Sequence, residues 1–225
     1  MRSVVGEESA AALTFEPLAE KDWVEASLAG LKPVRAGRFF IHGAHDRAHV
    51  PPNAIAIEIE AALAFGTGHH GTTRGCLLAF DRLLRRARPE RILDVGTGTG
   101  ILAIAAGRAL RRRVQATDID PVAICAAKAN AAANRAASHV GLSLASNAGR
   151  RSGRYDLIFA NILAGPLIRM SAGLASMLNR RGTLILSGLL ADQSTAVASA
   201  YRRQGLVLEQ RIQLDEWTTL IMRRR

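Results

Sequence analysis

The segment Asp94-Val95-Gly96-Thr97-Gly98-Thr99-Gly100 concentrates residues that could do chemistry. Its alternating glycines permit a tight turn and let a ligand approach the backbone. An apolar run, Arg91 to Val95, precedes it, and an alanine-rich stretch, Ile101 to Leu110, follows. Strand, glycine loop and helix in that order aim the free amides of a helix N-terminus at the ligand and favour an anionic group. The spacing discriminates between nucleotide loops. The dinucleotide pattern G-x-G-x-x-G calls for its third glycine where this chain has Ile101.

Three other segments carry candidates. The strand after the loop ends in Thr117-Asp118-Ile119-Asp120-Pro121. A carboxylate at that tip can accept both hydroxyls of a ribose, and Asp118, which closes the strand, is the candidate. Asp120 precedes a proline and suits a helix N-cap. The two assignments could be exchanged. Upstream, Ala64-Phe65-Gly66-Thr67-Gly68-His69-His70-Gly71-Thr72-Thr73 forms a loop able to fold over a ligand. Its last hydroxyls can donate to a carboxylate or cap the following helix. Finally, Ala160-Asn161-Ile162-Leu163-Ala164-Gly165-Pro166-Leu167 follows a strongly apolar strand. It therefore falls at the carboxyl edge, where open α/β sheets bind ligands.

The elements that must position these residues alternate. Strands are expected at Arg91–Val95, Arg113–Thr117, Val140–Ala145, Tyr155–Ala160 and Thr183–Ser187. Helices are expected at Thr73–Arg86, Ile101–Leu110, Pro121–Arg135, Pro166–Leu178 and Ala191–Gln204, with Gly182 ending the fourth. Alternation of this kind implies a parallel sheet covered on both faces. The last two strands, Leu206–Gln210 and Trp217–Met222, have no helix between them and must be antiparallel. The first part of the chain differs. It offers a helical stretch at Glu20–Leu28 and strand-like runs at Val34–His42 and Ile55–Ile59, too sparse in apolar residues for a core of its own.

Together the motifs resemble a known family. F-G-T-G-x-H-x-T-T at Phe65–Thr73, D-x-G-x-G-x-G at Asp94–Gly100, the D-I-D-P turn at Asp118–Pro121 and N-I-L-A-G-P-L at Asn161–Leu167 are similar to the PrmA family. Its members are bacterial methyltransferases of large-subunit ribosomal protein eleven. The resemblance covers about Glu20 to the C-terminus. It implies a Rossmann-like class I methyltransferase fold, with a parallel seven-stranded sheet, an antiparallel C-terminal hairpin and helices on both faces. It implies S-adenosyl-L-methionine as cofactor, held by Thr73, Asp94, Gly96, Gly98, Gly100, Asp118 and Asn161. The expected reaction is methyl transfer to lysine side-chain and N-terminal amines of a ribosomal protein, free or on the large subunit. Asn161 is the candidate catalytic residue, its side-chain carbonyl aiming the amine lone pair. His69 and His70 are expected to shape the loop rather than to move protons.

The resemblance implies an N-terminal recognition domain, most of which this chain is expected to lack. Either Met1 is internal to the reading frame, or the chain is a shortened relative. The expected division is residues 1–60, an N-terminal extension left from a substrate-recognition domain and linker, and residues 61–225, the catalytic domain. A nucleic-acid methyltransferase would carry an aromatic residue after Asn161 to stack a flipped base; here Ile162, Leu163 and Ala164 follow. A non-catalytic binding module would not need to keep the loop, Asp118 and Asn161 together.

Composition sets the outer limits. The chain has 225 residues, is 48% hydrophobic and carries a net charge of +11. Lysine occurs only at Lys21, Lys32 and Lys128 among 30 basic residues, so the excess is arginine, a bias that a GC-rich genome also produces. Direct nucleic-acid binding is compatible with that charge and not required by the chemistry. No apolar run is long enough for a membrane span, and the start does not read as a signal peptide. A cytoplasmic monomer is expected. Cys76 and Cys125 are expected to be buried, reduced thiols. His42, His45 and His49 are read as solvated surface residues without a metal, and Trp217 and Met222 as core.

Overall fold

The computed structural model describes residues 33–59, 70–145 and 154–225. The helix expected at Glu20–Leu28 and the Ala64–His69 part of the glycine-rich loop lie outside these residues.

Seven strands form one sheet in the order β6-β5-β4-β7-β8-β10-β9. They are β4 (Ile92–Val95), β5 (Val114–Asp118), β6 (Val140–Leu144), β7 (Tyr155–Asn161), β8 (Leu178–Leu190), β9 (Leu206–Leu214) and β10 (Trp217–Arg224). β4 through β8 are parallel, and β10 pairs antiparallel with both β8 and β9. The helices are α1 (His70–Leu84), α2 (Ile101–Leu110), α3 (Pro121–Ala133), α4 (Ala164–Arg169), α5 (Ser171–Ser176) and α6 (Ser194–Arg202). Alternate strand residues face opposite sides. Leu157, Phe159, Ile185 and Ile221 pack with α1 and α2 in one apolar cluster. Ile158, Ala160, Leu184 and Met222 pack with α4, α5 and α6 in another. Both faces are therefore covered, as near-continuous apolar strands require.

A second, three-stranded sheet is made of β1 (Val34–Ala36), β2 (Phe39–His42) and β3 (Ile55–Glu58). Its buried residues join the first cluster. Phe39 stacks on Phe80 of α1 at 5.5 Å, and Phe80 meets Phe159 of β7 edge-on at 5.3 Å. Arg38, in the β1–β2 turn, also reaches buried Asp81 of α1 at 2.5 Å.

Several expectations are corrected. The run Val34–His42 is two strands with a turn at Gly37 and Arg38. The helix expected at Pro166–Leu178 is two, jogged at Met170. In an unbroken helix Leu167 O would accept from Ser171 N; it accepts instead from the Tyr201 hydroxyl at 3.0 Å. β8 begins at Leu178, well before Thr183, and Gly182 lies inside it. The β7–β8 register jumps from Tyr155↔Leu178 to Leu157↔Thr183, so Asn179–Gly182 bulge outward. Cys76 is buried, but Cys125 is exposed on α3. His42 is only 5% exposed, with Nδ1 2.8 Å from Gly43 O. His45 and His49 are exposed and flank Asp46 at 3.1 and 3.3 Å, an acidic neighbour the sequence reading passed over. Met222 is core, whereas Trp217 is half-buried over Gly71. Among the described residues no helix is long and apolar enough to cross a membrane.

Candidate active site

β4 ends at Val95 and the chain turns at once into the glycine loop. Gly96, Gly98 and Gly100 hold φ of 67°, 54° and 83°. Left-handed backbone of this kind is costly for a residue with a Cβ. The loop is tied to the neighbouring strand: Gly96 N and Thr97 N both donate to Thr117 O, at 2.9 and 3.0 Å. Asp118, at the tip of β5, accepts from Gly98 N at 2.9 Å and from Asp120 N at 3.1 Å. Asp120 accepts from Val122 N at 2.8 Å, so it is the N-cap of α3, as its place before Pro121 led us to expect. From α3, Asn130 Nδ2 donates to Thr99 O at 2.9 Å and pins the loop from below.

Asp94 lies behind the loop, 1% exposed. Its Oδ2 accepts from the Thr97 hydroxyl at 2.7 Å, and Oδ1 has no hydrogen-bond partner. Burial pushes its carboxyl up to about 6, against the Thr97 hydroxyl and the Ala103 amide, which draw it down.

Two residues converge on the loop from distant parts of the chain. Thr73 sits in the first turn of α1 and Asn161 ends β7, 88 positions later, with Asn161 Nδ2 donating to Thr73 Oγ1 at 3.4 Å. Both line a cleft of about 560 Å³ with Gly96, Gly98, Asp120 and Cys125. That volume suits a ligand of cofactor size. Asp94 and Gly100 stand behind this lining and hold its shape, and Asp118 borders it at the tip of β5. Thr97, at a variable position of the glycine motif, Ile162, and Asn130 and Cys125, which no motif marks, were not singled out from the sequence. The Ile162 side chain fills the space a Cβ on Gly96 would take, its Cγ2 2.4 Å away. A Cβ on Gly188 of β8 would lie 2.5 Å from Ile162 O. The Asn161 turn is thus wedged between the glycine loop and β8.

The profile of the family described as ribosomal protein L11 methyltransferase (PrmA) matches residues 2–225. The chain belongs to the ribosomal protein L11 methyltransferase family. Its relatives of that name include one from Bradyrhizobium diazoefficiens, 50% identical over 97% of this chain and 76% of that protein. Another, from Caulobacter, is 47% identical over 93% of this chain and 73% of that protein. A solved ribosomal protein L11 methylase from Lactobacillus delbrueckii superposes with a TM-score of 0.77 at 31% identity, covering 87% of this chain and all of that one. The family's fold extends further. An RNA methyltransferase from Salinibacter ruber, crystallised with S-adenosyl-L-homocysteine, shares the fold at 18% identity with a TM-score of 0.51, over 64% of this chain and 89% of that one.

Proposed function

We propose that this chain transfers methyl groups from S-adenosylmethionine to lysine side-chain and N-terminal amines of ribosomal protein L11. The observation that carries the reading is the meeting of Thr73 and Asn161 over the glycine loop, in a chain half identical to relatives named for that activity. The residues present fit the cofactor. A Cβ on Gly98 would meet nothing within 4 Å, so the loop presents bare backbone to the cleft. Asp94 Oδ1 is a buried acceptor still without a donor. Gly96 and Gly98 would hold the cofactor through the backbone and Thr73 would serve its amino-acid end, with Asp94 and Gly100 shaping the loop from behind. Asp118 would take the ribose. A carboxylate offers about four acceptor sites, and two backbone amides use only part of that capacity.

Bound there, S-adenosylmethionine would supply an electrophilic methyl group on a positively charged sulfur, with a neutral thioether as the leaving group when the methyl passes to nitrogen. Asn161 Oδ1 accepts an N–H of the incoming amine while Thr73 steadies the other end of its amide. That would aim the lone pair at the methyl group, where proximity and alignment supply most of the rate. Partial burial lowers the amine's pKa, so it arrives neutral, and its proton leaves to water. No strong general base is needed. We assign residues 61–225 to the catalytic unit, and the activity to a monomer acting in the cytoplasm on L11, free or on the large subunit.

The test is mass spectrometry of ribosomal proteins from cells lacking the enzyme, after incubation with this chain and S-adenosylmethionine. L11 gains mass in steps of one methyl group. An unchanged L11 mass alongside tight cofactor binding overturns the substrate assignment.

A further inference from the structure

Topology sorts the charge of this molecule. β4 through β8 all begin at one edge of the sheet and end at the other, where the cleft lies. β10 runs the opposite way, so its last residues return to the starting edge, with Arg223 opposite Thr183. There Arg86 and Arg88 beyond α1, Arg180 and Arg181 in the β8 bulge, and Arg223 of β10 surround a recess of about 460 Å³. Arg112 and Arg113 beyond α2, and Arg202 and Arg203 at the end of α6, extend the basic edge to either side.

The carboxylates nearby leave much of this charge free. Asp156 is occupied by the amides of Glu90 and Arg91, each at 3.0 Å, and by Asn179 Nδ2 at 2.6 Å. Glu209 is shared by Arg86 at 2.6 Å and Arg223 at 2.9 Å, and Glu90 holds Arg112 at 3.3 Å. Arg88, Arg180 and Arg181 are exposed. Among the described residues none of these three side chains makes a hydrogen bond or ion pair. Arginines at helix ends could be explained by the helix dipole. Arg180 and Arg181 cannot, because they stand in a strand bulge. Arg181 holds φ 63°, a backbone conformation uncommon outside glycine and asparagine.

The geometry points to a docking surface for the phosphate backbone of RNA on the edge opposite the cleft. Guanidinium groups match phosphate oxygens two at a time. Unpaired cations on separate elements, the end of α1 and the β8 bulge, suit a repeating anion better than a single one. The choice of RNA over another polyanion rests on the proposed ribosomal function; the surface itself does not. Because the two edges are opposed, bound RNA leaves the cleft open to cofactor and amine.

The test measures binding of the full chain to a short RNA hairpin by fluorescence anisotropy, with salt raised from roughly 50 to 200 mM. The native chain binds with a steep salt dependence. The triple variant Arg88→Gln, Arg180→Gln, Arg181→Gln loses about 2–3 units of the log–log slope, near one unit per lost phosphate contact. Its affinity falls at least about tenfold at the low-salt end, with its thermal midpoint unchanged. Equal slopes for variant and native chain, or no binding by the native chain, overturn the inference. So does polyglutamate binding as tightly as RNA, which would assign the edge to an acidic protein. Methylation of free L11 is followed in parallel. Arginine-dependent RNA binding without methylation overturns the proposed function and leaves the docking surface standing; methylation without RNA binding does the reverse.

Discussion

Replacing Gly188 by alanine separates the strain of a backbone conformation from that of a collision. Gly188 lies in β8 at φ 82°. An added Cβ would meet Ile162 O at 2.5 Å, Ile162 C at 2.8 Å and Ile162 N at 3.1 Å. All three are backbone atoms, and Asn161 beside them is registered against Ser187, so neither side yields easily. The left-handed conformation costs an L-residue about 1–2 kcal/mol, and forcing a methyl into packed backbone about 1–3 kcal/mol more. The sum is about 2–5 kcal/mol, or a fall of about 4–20 °C in the unfolding midpoint for a chain of this size. If the Asn161 turn moves instead, the midpoint falls less and kcat falls with it. Gly205 supplies the control. It has φ 81° and nothing within 4 Å of its added Cβ, so Gly205→Ala carries the conformational cost alone. The assay is thermal unfolding together with methyl-transfer kinetics for both variants. Matching stability and matching kcat for Gly188→Ala and Gly205→Ala would refute the collision and the wedge built on it.

Other perturbations reach the site from different directions. Gly98→Ala adds a Cβ that faces open space, so it costs only about 1–2 kcal/mol of stability for the backbone. Its affinity for S-adenosylmethionine, read by calorimetry, falls at least about tenfold because the cradle needs bare backbone; unchanged affinity removes the cradle. Asn161→Ala loses an oriented hydrogen bond to a developing cation and lowers kcat about 10- to 100-fold, with cofactor affinity changing less; unchanged turnover removes that role. Asp94 holds its proton more tightly folded than unfolded, at about 6 against 3.8. Its contribution is therefore fully present below the unfolded value and lost as pH rises through that window, about 3 kcal/mol in all. Denaturant titrations should show Asp94→Asn gaining on the native chain by about that amount between about pH 4 and pH 7. A difference that stays flat with pH contradicts it.

The residues that make local decisions were legible in the sequence. Asp120 before Pro121 gave a helix start, Ile101 in place of glycine excluded a dinucleotide loop, and the helix-free link from β9 to β10 gave antiparallel strands. What escaped were outcomes decided by neighbours remote in the chain. Nothing near Leu167 announces that Tyr201 will take its carbonyl. The β8 bulge depends on pairing with β7, so Gly182 read locally as a stop. Cys125 looked like one more small apolar residue of α3 until the cleft opened beside it. Asn161 was recognisable by motif, but its support by Ile162 against Gly96 and Gly188 joins residues from three separate elements. Periodicity carries no record of such contacts.

The Phe39–Phe80–Phe159 column has a consequence for how this protein comes apart. Phe39 and Phe159 touch the same ring of α1 from two different sheets. Peeling the small sheet away would bare Phe80, now fully buried, along with Asp81 stripped of Arg38. The two sheets therefore behave as one cooperative unit, melting together in a single transition. A chain cut after β3 would then yield no free-standing catalytic half, and proteases that nick between the sheets would leave two fragments still joined.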